Sequence, residues 1–288
     1  MLGKSARESG PHARRAATLG GWSDVDAELL DLGSTTATLS TVANLENLAA
    51  VVHLGHPAQP TPELERNLLS SDRSLMLTAA VAVPSEWVWV GRTADATGVA
   101  IVDESGMRDC RHALRTMGVS PHLVPTTTSV AERIQLAGDH GTLVVERSSI
   151  PAGFQELPGS AGLQAVPLLW YGLLETPDAP VVFDTPAQVW LAFGPRDDHR
   201  GSLQQSLGVF AAAEIDLQHL RSQRSQAGPH VFLTSFTCET SDVLAHVVAE
   251  FGARGVENRV LAVLTGQQFL PGPDALTPVW SDVEVTAP

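Results

Sequence analysis

The stretch Thr126-Thr127-Thr128-Ser129 places three threonine hydroxyls directly ahead of a helix start. Ser129 followed by Glu132 fits a capping box, and the unpaired amides of a helix's first turn favour an anion. One substrate carboxylate could sit there. The same residues also read as a threonine-rich capped turn with no ligand. A second candidate is the turn Gly20-Gly21, where the absence of side chains lets backbone amides approach a ligand. A third is the run from Asp184 to Gly194, in which Val189, Leu191 and Phe193 alternate with Gln188, Trp190 and Ala192 as in a strand. This run stands at the junction of a long body and a compact C-terminal pattern. Gln188 and Trp190 therefore read either as the wall of a pocket or as packing at that junction.

Other chemistry-bearing residues point less sharply. His53 and His56 are close in sequence, but a proline-rich loop follows and no acidic partner is evident. No metal site is expected. Asp103-Glu104 ends a strand-like run, where α/β sheets place ligands, yet its charge would repel a dicarboxylate. It stays a candidate proton donor. Cys110 falls on an apolar helical stripe and reads as core rather than nucleophile. Asp139-His140 lies between two glycines and reads as a solvated turn.

The elements that must position these residues can be read from periodicity. The 288 residues suffice for two domains, and with 43% hydrophobic residues a normal core can be buried. Residues 1–15, basic and rich in Ser, Gly and Pro, read as a disordered arm. Residues 16–21 read as a strand entering the glycine turn. Strands are expected over 49–54, 75–83 and 87–90, with a loop over 56–62. From 98 to about 160 the order is strand (99–102), helix (106–117), strand (122–124), helix (129–137), strand (141–145), a second subdomain of parallel α/β type. After Arg200 come a helix marked by Leu203, Leu207 and Phe210, strands over 216–222 and 230–237, a helix marked by Val243, Val247 and Phe251, and a strand over 259–264. With the junction strand the order is βαββαβ, a ferredoxin-like unit. The formal net charge of −14 argues against a nucleic-acid partner, and no apolar run is long enough to span a membrane. The 2 cysteines, widely separated, suit a reducing, cytoplasmic setting.

The C-terminal unit is where a family becomes recognisable. The run Gly201-Ser202-Leu203…Leu207…Phe210-Ala211…Ile215-Asp216-Leu217…Leu220-Arg221-Ser222 resembles the ACT domain attached to prephenate dehydratases. Ser222 matches that family's Glu-Ser-Arg-Pro effector motif, whereas Arg221, Gln223 and Arg224 stand where Glu, Arg and Pro are expected. Within the body, Leu19-Gly20-Gly21 stands at the family's first strand and glycine turn, with Ser23-Asp24 in place of Gly-Thr. Asp109-Cys110-Arg111 matches a Gln-Cys-Arg segment. Thr127-Thr128-Ser129 resembles a Ser-Thr-Ala pocket motif. Counting back from Gly194, Gln188-Val189-Trp190 occupies the family's Thr-Arg-Phe motif, so its threonine and arginine are absent. That loss is similar to the prephenate decarboxylases of bacilysin-type pathways.

The resemblance implies an α/β fold: a two-subdomain, periplasmic-binding-protein-like body with a cleft (16–194), an ACT domain (195–270) and an irregular tail (271–288). It implies a lyase acting on prephenate with no cofactor, a homodimer or homotetramer, and an amino-acid effector at the ACT domain. Gln188 and Thr128 would be the catalytic candidates; Thr126, Thr127, Ser129, Trp190, Gly20, Gly21 and Ser23 would bind substrate. A carboxamide can donate a hydrogen bond but cannot protonate a leaving hydroxyl. On that reading dehydration is crippled while decarboxylation, which needs chiefly positioning and desolvation, can proceed. Three readings stay open: a non-aromatising prephenate decarboxylase, a divergent dehydratase forming phenylpyruvate, and a catalytically silent binding protein.

Overall fold

The computed structural model describes residues 1–24, 28–72, 74–96, 99–165, 168–196, 199–224 and 230–265. In chain order the first lobe contributes β1 (Leu2–Lys4), α1 (Gly10–Leu19), β2 (Leu30–Asp31), α2 (Thr35–Asn44), β3 (Ala49–His56), β4 (Gln59–Pro60), α3 (Pro62–Ser70) and β5 (Met76–Pro84). The second lobe is β6 (Trp87–Gly91), β7 (Ala100–Asp103), α4 (Glu104–Thr116), β8 (Pro121–Val124), α5 (Val130–Ala137), β9 (Thr142–Glu146) and β10 (Gln155–Glu156). The chain then returns to the first lobe as β11 (Leu168–Glu175). It ends in β12 (Ala187–Pro195), α6 (Ser202–Ala212), β13 (Leu217–Gln223), β14 (Val231–Cys238), α7 (Ser241–Ala253) and β15 (Val256–Thr265).

Two sheets organise the molecule. The second lobe has a five-stranded sheet, β10-β6-β9-β7-β8, whose β7, β8 and β9 run parallel as the strand–helix alternation predicts. The rest forms one ten-stranded sheet, β13-β14-β12-β15-β5-β11-β3-β1-β2, with β4 on β3. Its first four strands are the βαββαβ module in ferredoxin-like order. They join the body because β15 pairs parallel with β5 through Ala262↔Leu77 and Thr265↔Ala79. Since β12 is a central strand of the module, the module begins at Ala187 and not at 195. The second lobe begins at Trp87 rather than 98, because β6 pairs with β9. The tail expected over 271–288 lies outside the described residues.

The expected N-terminal arm is ordered. β1 pairs parallel with both β2 and β3, and α1 buries Ala13, Ala16 and Ala17 against β3 and β5. Helix start signals were present: the Ser9 side chain accepts from the His12 amide, and Pro11 stands within the first turn, where a missing N–H costs nothing. Residues 16–21 are accordingly the end of this helix and not a strand. The 3.6-residue spacing of small apolar side chains outweighs the basic, Gly- and Pro-containing composition.

Each layer has its own core. α2 and α3 pack on one face of the large sheet with Val52, Leu77, Trp190, Leu233 and Leu261. α6 and α7 cover the module's other face around Val189, Leu191, Phe193 and Phe251. The module is also bonded to α3. Glu65, fully buried, lies 3.1 Å from His219 Nε2 and is gripped by the Arg221 guanidinium, both on β13. Trp190 Nε1 donates to the Pro57 carbonyl at 2.6 Å, and Ser235 Oγ donates to that of Ala58.

Candidate functional site

The cleft between the lobes is framed by the loop after β1, the start of α1, and the first turns of α4 and α5. It contains two adjoining cavities, of about 230 and 470 Å³, and Glu8 lines both. The smaller is bounded by Lys4, Ser9 and Pro11 from the first lobe and by Asp103, Thr126, Thr127 and Arg133 from the second. The larger is bounded by Ser5, Val52, His53 and Leu64 on one side and by Glu104, Met107, Arg108, Arg111 and Leu123 on the other.

Thr126 and Thr127 therefore line the cleft, but several of the loop's polar groups are already engaged. Ser129 Oγ accepts the Glu132 amide at 3.3 Å, while Glu132 Oε2 accepts the Ser129 amide at 2.8 Å and the Ser129 hydroxyl at 2.7 Å. The capping box forms as the sequence predicts. Its consequence is that Glu132 already sets a negative charge on the helix terminus where a substrate carboxylate was expected. The Ser129 bonds hold the Glu132 carboxyl below the ordinary carboxylate range. Arg133 fastens the same loop: Nε to the Thr128 carbonyl at 3.0 Å, Nη2 to that of Thr126 at 3.2 Å, and Nη1 to Asp103 Oδ2 at 2.8 Å. Asp103 is itself the cap of α4, accepting from Gly106 N at 2.8 Å and Ser105 Oγ at 2.7 Å. Asp103 is thus consumed as a structural anion. Glu104 accepts from Thr126 Oγ1 at 3.3 Å. With Glu8, Asp31, Asp103 and Glu146 against Lys4 and Arg133, the smaller cavity is acidic.

The other sequence candidates lie elsewhere. Gly20 is the C-cap of α1 and Gly21 follows it, at the far end of a helix about 15 Å long from the Ser9 terminus that faces the cleft. Ser23 borders a separate groove beside Asn44 and Leu48. Gln188 is buried at the centre of the module and Trp190 packs on α2 and α3. Neither lines the cleft, so β12 does not close it. The first body strand upstream of the module is β11, which carries Trp170 and Tyr171 between β3 and β5. Gln188, Val189 and Trp190 lie on β12, a strand of the module between β14 and β15. Cys110 is buried on the core face of α4, and burial pushes its thiol far up, away from a nucleophilic role.

The larger cavity holds groups that sequence patterns did not single out. Arg108 bridges the lobes, with Nη1 2.9 Å from Glu8 Oε2 and Nε 2.7 Å from Asp109 Oδ1. Trp87 Nε1 donates to Asp109 Oδ2 at 3.0 Å. Burial alone would raise the Asp109 carboxyl; Arg108, His53 and the Arg108 and Trp87 hydrogen bonds more than offset this, leaving it below the usual range. Burial alone would likewise lower Arg108, but Glu8 and Asp109 hold it well above its ordinary value. His53 stands beside this pair and is depressed to about 4, first by burial and next by the Arg108 charge. Behind it lie His12, whose Nδ1 is 3.1 Å from Glu146 Oε1 without hydrogen-bond alignment, and buried Tyr171, whose hydroxyl meets no partner among the described residues. One signal could have exposed the site: Arg108 and Arg111, three apart, share a helical face beside the apolar stripe of α4. Among the described residues no group of three or more His, Cys, Asp or Glu side chains is arranged to hold a metal ion, and no helix is long and apolar enough to cross a membrane.

This architecture matches solved structures across nearly its whole length. A prephenate dehydratase from Staphylococcus aureus subsp. aureus Mu50 superposes with a TM-score of 0.67 at 14% identity, covering 92% of this chain and 100% of that one. One from Arthrobacter aurescens in complex with L-Phe gives 0.70 at 18% identity, covering 95% and 93%. GqqA, described as a novel type of quorum quenching acylase, gives 0.65 at 15% identity, covering 92% and 98%. The chain has the prephenate dehydratase-like fold. No family model matches the sequence, and no curated protein matches it significantly.

Proposed function

We propose that the chain is a lyase acting on prephenate or a close analogue, held in the larger cavity, and that it removes the ring carboxylate without aromatising the ring. The observation that carries this reading is Arg111. Arg7 is paired with Glu63 at 2.6 Å and Arg108 is taken by Glu8 and Asp109. Arg111 lines the same cavity with no ion pair or hydrogen bond among the described residues, and so offers a guanidinium fork to one carboxylate. Val52, Leu64, Met107 and Leu123 supply apolar wall for the other. A carboxylate pressed on apolar surface loses its hydration, which favours departure as carbon dioxide. The bond to the ring breaks, its electron pair enters the diene, and a ring carbon takes a proton from water. The hydroxyl is retained.

Dehydration is the second reading, favoured by the likeness to prephenate dehydratases. It needs an acid at the leaving hydroxyl; Glu8 and Asp103 are committed to arginines, which leaves Glu104, in the same cavity and bonded to Thr126 Oγ1, as the carboxyl that would have to supply it. An acylase of the serine type would need a hydroxyl paired with a base, and His53 spends its Nδ1 on a backbone amide. Purified protein mixed with prephenate separates the readings. Carbon dioxide release without phenylpyruvate absorbance is the expected result. Phenylpyruvate would establish dehydration instead, and no turnover would overturn the lyase. An amino-acid effector at the module, and homodimers or homotetramers assembled through it, belong to the same reading; light scattering with and without phenylalanine tests both.

A further inference from the structure

We propose that His53 is the orienting contact of the larger cavity, a neutral imidazole that donates through Nε2 to an acceptor oxygen of a bound organic acid. This rests on the lyase reading for the identity of the acid, but the hydrogen-bonding pattern of the ring does not. Nδ1 accepts the Gly55 amide at 3.3 Å, which places the ring proton on Nε2. That bond sits at a bulge in β3, where Gly55 takes a φ of 80° that favours glycine. Among the described residues the Nε2 proton meets no protein acceptor within hydrogen-bond distance: the carboxylate oxygen Asp109 Oδ1 is 3.9 Å away and already takes Arg108 Nε. The side chain is 10% exposed, and it borders the cavity. The imidazole is thus a donor fixed in direction and unspent, lining the same cavity as the cation Arg111.

The surroundings keep the ring uncharged. Arg108 and His12 disfavour a second positive charge, and although Asp109 and Glu8 favour one, burial outweighs them. A neutral donor suits an acid with a keto or carboxylate oxygen, because it binds without exchanging a proton with solvent. A ring with this tautomer and no titration near neutrality is also poorly suited to be a general base.

Nitrogen-15 histidine NMR on the full chain tests the first half, with His53→Gln used for assignment. The expected spectrum shows a neutral, Nε2-protonated ring for His53 from pH 5 to 8. An Nδ1-protonated ring, or a titration near the free-imidazole value, would overturn the proposal. The second half is read from ligand binding. Prephenate and, separately, benzoate should shift the His53 Nε2 resonance. His53→Leu should weaken binding at least about tenfold, whereas His53→Gln, which keeps a donor nitrogen near the same point, should stay within about threefold. A benzoate shift without any prephenate turnover would overturn the lyase and leave His53 as an acid-binding donor. If neither acid moves the resonance, or if folded His53→Leu binds as the native protein does, the inference fails.

Discussion

Gln188 brings a carboxamide into the middle of a strand, and neither its oxygen nor its nitrogen meets a partner among the described residues. A buried amide with no partner lowers stability by its desolvation. Gln188→Leu should leave turnover unchanged and raise stability by about 1–3 kcal/mol, as read from urea unfolding and steady-state kinetics. A variant that folds but loses activity would return this strand to the chemistry. Arg111→Ala should do the reverse: little change in stability, since the side chain is exposed, and a KM for prephenate raised at least about tenfold. His53 gives a pH signature. Its folded value, about 4, lies below the ordinary 6.5, so the unfolded chain binds the extra proton between those values. Its contribution is fully present above about pH 6.5 and is lost as pH falls through 4, roughly 3 kcal/mol in all. Denaturant midpoints at pH 7 and 4.5 should therefore fall further in the native protein than in His53→Gln.

At the scale of elements, α3 and β13 meet through one buried carboxylate. Removing a partner from a buried pair leaves an uncompensated charge, so Arg221→Leu should cost about 3 kcal/mol, and Glu65→Leu in the same chain should recover most of it. Chemical denaturation of the two single variants and the double checks this; additivity would refute the coupling. Elements were also where the sequence spoke best. The second lobe's alternation, the Ser129 capping box and the module's βαββαβ order were legible because caps and periodic apolar residues act locally. α1 was masked by its basic composition, and α3 by the prolines of 56–62, although Thr61 caps it and Pro62 opens it. The site was harder to read. Glu8, His53 and Arg108 come from three elements, and nothing along the chain reports that Arg108 reaches Glu8 a hundred residues away.

Seen whole, the molecule has no clean seam between body and module. One sheet runs through both, and Trp190, Leu233, Leu261 and Leu264 cover the side chains of α2 and α3. A single unfolding transition, coincident by far-ultraviolet circular dichroism and by tryptophan fluorescence, is expected for the ten-stranded part. A chain ending at residue 186 should bind a hydrophobic dye and aggregate, because that face would be bare; a stable monomer would contradict the shared core. The tether on the turn after β3 extends this point. Trp190 and Ser235 hold the carbonyls of Pro57 and Ala58, and the strand leading into that turn carries His53. The module is therefore pinned directly to the turn that follows the cleft strand, so the position of that strand's end and the packing of the module are fixed by the same two hydrogen bonds.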